Sequence, residues 1–198
     1  MEINANDRTL GLVNIWQVLR KLKWELSLID IIPDYTQIEN MDKQVIATKD
    51  AICYAQINAA STCISLVDWL YHVVKNDENK KDLICSKYPT LNVSSDKELM
   101  VSLRTLNKDI NSCHQICNAN KHSHLRNLDK EFYVRTFDMI ILNSNNENES
   151  ISTRSIIEDQ SEKNNSIDVK DMLKRVYSWW EMLLNDLNID GKEVFFED

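Results

Sequence analysis

Two glycines, Gly11 and Gly191, and two prolines, Pro33 and Pro89, are all that interrupt a chain of 198 residues. Average chains hold roughly 7% and 5% of these residues, so tight turns and left-handed backbone must be few here, and long helices are the natural result. The same scarcity excludes whole classes of enzyme. Dinucleotide folds and phosphate-binding loops need glycines where backbone amides approach a phosphate, and the sequence has no such loop. A Gly-x-Ser-x-Gly nucleophile elbow is missing as well.

The length suits a single domain with a real core. A formal net charge of −8 argues against a protein that coats duplex DNA, because such binding rests on cations neutralising phosphates. The five cysteines, Cys53, Cys63, Cys85, Cys113 and Cys117, are odd in number, lack Cys-x-x-Cys spacing and sit in helical apolar patterns. A reducing, cytoplasmic setting fits them best. The start, Met1-Glu2-Ile3-Asn4, has neither a basic residue nor an apolar run, so no signal peptide is expected. Charges break every apolar stretch before membrane-spanning length.

Apolar periodicity then divides the chain. Asp7 is positioned to cap a helix from about Arg8 to Ile31, carrying Leu12, Ile15, Leu19, Leu22, Leu26 and Ile29 on one face. A longer helix is predicted from near Met41 to Val74, with Ile52, Ala55, Ala59, Cys63, Leu66, Leu70 and Val73 as its stripe. It is apolar nearly all round from about residue 59, as central helices are. A short helix or loop ends near Pro89. Ser95-Asp96-Lys97-Glu98 has the capping-box pattern and starts one long helix with Leu99, Leu103, Leu106, Ile110, Cys113 and Cys117 as its seam. From about Glu131 to Asn143 the residues turn β-branched and aromatic, and after a polar turn Glu149 to Glu158 reads as a returning strand, giving a hairpin insertion of about 131–158. Gln160 to Ser166 is a polar linker. Asp168 caps a last helix, about 168–188, whose Val169, Met172, Val176, Trp179, Leu183 and Leu187 are expected inside. The fold class is therefore mainly α: a single helical bundle with an inserted β-hairpin.

Chemistry is concentrated in Cys117-Asn118-Ala119-Asn120-Lys121-His122. At about 100° per residue, Asn107, Asn111, His114, Asn118 and His122 form one polar row beside the seam. Asn118 and His122 stand one turn apart, so the amide could set the imidazole tautomer while Lys121 supplies positive potential. Such a group could hold a phosphate and move a proton. The plainer alternative is a C-terminal helix cap, where cations offset the helix dipole. Asp68 and His72, also one turn apart, are either a buried ion pair or an orienting carboxylate for the same site. Cys113, Cys117, His122 and His124 do not have the knuckle spacing of a zinc site, so neither metal nor cofactor is expected.

Long helices ending in Asn118-x-x-x-His122 resemble the HEPN family, the higher-eukaryote-and-prokaryote nucleotide-binding domains. The likeness covers about residues 41–128. It implies an α-helical bundle, a homodimer, and in many members a metal-independent ribonuclease of antiviral defence or toxin-antitoxin systems. In that pattern Asn118 and His122 take the asparagine and histidine positions, with His122 as general acid or base. The arginine position is Cys117, so the phosphate contact would fall to Lys121, Arg126 or a residue of a partner, with His114, Asp68 and His72 near the substrate. The chain also resembles a group of small bacterial proteins, a likeness that implies no mechanism. The expected function is action on RNA or a nucleotide; the alternative is a noncatalytic protein-protein interaction or regulatory module of such a system.

Overall fold

The computed structural model of the chain describes residues 12–32, 41–121, 132–142, 149–159 and 166–192. Among these residues six helices, α1 (Ile15–Ile31), α2 (Met41–Val74), α3 (Glu78–Lys87), α4 (Asp96–Leu106), α5 (Lys108–Lys121) and α6 (Val169–Asp186), surround one core, and three strands, β1 (Phe132–Leu142), β2 (Glu149–Asp159) and β3 (Ser166–Asp168), lie between α5 and α6. The expected bundle with an inserted hairpin is what the chain forms.

α2 is the axis. It packs against α1, α4, α5, α6 and β2, and its Ala59, Ala60, Cys63, Leu66, Val67, Leu70 and Val74 are fully buried, as an all-round apolar helix must be. Side-chain contacts tie these helices together. Lys21 of α1 reaches Thr62, Cys117 of α5 meets Ser61, Cys113 of α5 meets Met172, and Trp180 of α6 donates to the Cys63 sulfur at 3.5 Å.

Four sequence expectations are corrected. α1 starts at Ile15, not near Arg8, because Asn14 and Gln17 form a capping box: the Gln17 amide donates to Asn14 Oδ1 at 2.9 Å and the Asn14 amide to Gln17 Oε1 at 3.3 Å. The expected cap Asp7 lies outside the described residues. The long helix from Ser95 is two helices, because Asn107 is extended (φ −130, ψ 109). Its Oδ1 accepts from the amides of Asp109 (2.9 Å) and Ile110 (3.4 Å), which caps α5. On α6 it is Trp180 that is fully buried, while Trp179 packs partly exposed against the core; the rings meet edge-on, 5.3 Å apart. The polar linker ends in a third strand, β3, which pairs antiparallel with β2 through Ile156–Asp168, Ile157–Ile167 and Glu158–Ser166.

β1 and β2 pair without a bulge from Phe132–Asp159 to Leu142–Glu149. Asp168 then hands the chain to α6, its Oδ1 accepting from Lys170 N at 2.9 Å and Asp171 N at 3.2 Å. The far end of α6 closes as a Schellman motif: Ile189 N donates to Leu184 O, Asn188 N to Asn185 O, and Asn188 takes φ 49. Gly191, at φ 98, lies against the Asn14 cap, where an added Cβ would come 2.8 Å from Asn14 Nδ2. The start of α1 and the end of α6 are thereby joined, with Trp16 Nε1 donating to Ile189 O at 2.9 Å.

Candidate functional site

The polar row on α5 is largely spent on its own hydrogen bonds. Asn107 is the cap of α5 rather than part of its face. Asn111 Oδ1 accepts from Arg104 Nε at 2.9 Å, which ties α4 to α5 across the break, and partial burial holds that guanidinium pKa below its ordinary value. Asn118 Nδ2 lies 3.2 Å from His114 Nδ1, an i, i+4 contact, and both residues are half-buried. The amide expected to orient His122 is thus engaged one turn back along the helix. Lys121 is the last residue of α5, and His122 and Arg126, like His124, lie outside the described residues.

The other two proposed members stand elsewhere. Asp68 and His72 are exposed, not buried. Cys117 contacts Ser61, and the last turns of α5 flank Cys53, Gln56 and Ile57, so α5 ends toward the earlier part of α2. At about 1.5 Å per residue, His72 lies roughly 16 Å further along α2 than Ser61, in the opposite direction. Asp68 and His72 therefore do not share a cleft with the end of α5.

Cys117, in the arginine position of the motif, is 2% exposed, with its sulfur 3.5 Å from Ser61 Oγ. Cys113 is buried beside it, and its thiol is pushed far up the scale by a hydrogen bond with Cys63, then by burial. Neither sulfur is placed to meet a ligand. Among the described residues no three His, Cys, Asp or Glu side chains converge as a metal site would need.

What the end of α5 does border is a cleft beneath the hairpin. Ile116, Ala119 and Asn120 of α5, Cys53, Gln56 and Ile57 of α2, Val134 and Thr136 of β1, Ser155 of β2 and Val169 of α6 line a mainly apolar cavity of about 270 Å³. A hydroxyl chain runs along its roof, with Ser155 Oγ 2.9 Å from Thr136 Oγ1, itself 3.6 Å from Cys53 Sγ. Gln56 and Ser155 also line a second, polar cavity of about 510 Å³, between the end of α1, α2, β2 and the start of α6. Here Asp30 Oδ1 receives both Lys170 (2.6 Å) and Lys174 (3.0 Å), and these bonds, Lys170 first, hold the Asp30 pKa below its ordinary value.

None of this second constellation was picked out from sequence, although one sign was present. Gln56 falls at i+4 from Ile52 and i−3 from Ala59, so an amide interrupts an otherwise apolar helical stripe. Comparison of the chain with family models, with curated proteins and with solved structures finds no match.

Proposed function

We propose that the protein is a HEPN-like helical domain of a prokaryotic defence or toxin-antitoxin type, acting in the cytoplasm on RNA or a nucleotide at the C-terminal end of α5. The supporting observation is that Ala119 and Asn120, which follow Asn118 on the last turn of α5, line an open cleft instead of ending against packed core. In this reading His122 is the general acid or base, Asn118 orients it after exchanging its bond to His114, and Lys121 contacts phosphate. The buried Cys117 cannot give the guanidinium contact of the family motif, so that charge must come from Arg126 or from the second copy in a homodimer. Purified wild type and His122→Ala, assayed on single-stranded RNA, test the proposal: cleavage lost in the variant supports it, and equal activity or none in either removes the enzymatic version.

A specific observation favours the second reading, a noncatalytic interaction or regulatory module: the position that should hold the catalytic arginine is sealed in the core. Thermal melts separate the two, because a structural His122 costs roughly 1 kcal/mol or more when removed and an exposed catalytic one costs little.

A further inference from the structure

Among the described residues the sheet has two free edges, and they are unequal. β3 is three residues long, whereas β1 runs for 11 residues and pairs with β2 without a bulge. The chief packing of β1 is on β2, while β2 itself lies against α2 and α6. Tyr133, Val134, Phe137 and Met139 remain exposed. An unpaired strand edge offers a row of backbone donors and acceptors, and proteins that keep such an edge single guard it with lysine, proline, a bulge or shortness. β1 has none of these four: between Phe132 and Leu142 the only charges are Arg135 and Asp138, and there is no lysine or proline.

The geometry of the sheet limits what can cover that edge. A head-to-tail arrangement would set β3 of one copy against β1 of the next, and three residues cannot cover 11. Two β1 edges cover each other completely, in the antiparallel, two-fold arrangement that closes on a dimer. Register then follows from charge and from the direction of the side chains. Thr136 and Asp138 turn toward α2, where they meet Cys53 and Lys49, so Tyr133, Arg135, Phe137 and Met139 alternate onto the outer face. A pair centred on Arg135 or on Asp138 would set like charges against each other. Centring it on Phe137, the middle of the strand, matches all 11 residues. Phe137 then opposes Phe137, Arg135 opposes Met139, Thr136 opposes Asp138, and beyond them only apolar residues meet. An antiparallel pair of that length makes about ten backbone hydrogen bonds, the number a standard interface carries.

We propose that β1 pairs with β1 of a second copy, antiparallel and centred on Phe137, so that the two sheets become one. The pairing stands whether or not the end of α5 acts on RNA. Since Val134 and Thr136 also line the apolar cavity, it sets the second copy beside that cleft.

Light scattering should find a dimer at tens of micromolar that dissociates on dilution, and β1 amides that exchange fast in the dilute chain should slow as concentration rises. Met139→Lys, opposite Arg135 of the second copy, creates two like-charge contacts per dimer and should weaken it about tenfold relative to Met139→Glu, which creates two ion pairs. A net charge of −8 would by itself favour the lysine variant, so the order of the two reports the register and not the overall charge. In a Cys85→Ser background, Phe137→Cys should cross-link two copies on mild oxidation, its Cβ atoms being about 5 Å apart, whereas Tyr133→Cys, roughly 27 Å from its counterpart, should not. A monomer at every concentration, a lysine variant that dimerises as well as the glutamate one, or a Tyr133→Cys that cross-links as readily as Phe137→Cys would overturn the proposal.

Discussion

Individual side chains here divide sharply between those the core consumes and those left accessible. All five cysteines are free thiols, yet Cys63, Cys113 and Cys117 are buried while Cys85 is exposed and Cys53 intermediate. A thiol must reach solvent and ionise to react. Native protein should therefore be alkylated at Cys85 and Cys53 alone, with the other three labelled only in denaturant; mass mapping of modified peptides checks this, and rapid native labelling of Cys113 would contradict it. Tyr88 shows the same influence of environment on ionisation. Burial first, then its 2.7 Å hydrogen bond to Asp186, pushes its pKa up to about 12 from 10.0. A phenol that ionises later in the folded chain adds stability that is complete below pH 10 and disappears as pH rises through about 12. Alkaline melting curves should thus fall more steeply for wild type than for Tyr88→Phe over that window.

Among the elements, the break between α4 and α5 was the hardest to foresee and has a clear cause. Leu99, Leu103, Leu106, Ile110, Cys113 and Cys117 keep helical spacing straight across it, so periodicity alone predicts continuity. Asparagine at 107 decides otherwise, because its side chain satisfies the first amides of a new helix and lets the backbone change direction. Leu106 is consequently 40% exposed while Leu103 and Ile110 are buried. Asn107→Ala should lower stability by roughly 1 kcal/mol, measured by urea denaturation, whereas a neutral effect would mean that packing, not the cap, sets the break. Helices whose first residues carry a cap in the sequence, such as α4 at Ser95 and α6 at Asp168, begin where expected.

For the whole molecule, α2 carries the most deeply buried stretch, with Ala59, Ala60, Cys63, Leu66, Val67 and Leu70 all at 0% exposure, while β1 is an edge strand of the sheet order β1-β2-β3 with Tyr133, Val134, Phe137 and Met139 exposed. Stability should be graded accordingly. In hydrogen exchange the amides between Ala59 and Leu70 should be the slowest, and those of β1 should exchange much faster; equal protection would mean that the sheet and bundle open as one unit. The sequence by itself determined the helical class, the hairpin and most of the core, because scarce glycine and proline and regular apolar spacing are local properties of the chain. Asn118, Lys121 and His122 could be read as a group for the same reason, since residues one turn apart are necessarily neighbours. Only the tertiary structure decided that Asp68 and His72 are exposed at another level of α2, that Asn118 turns to His114, and that Gln56 and Ser155 line the same cavities. Those relations depend on how separate elements dock, and no periodicity within one element records the distance to the next.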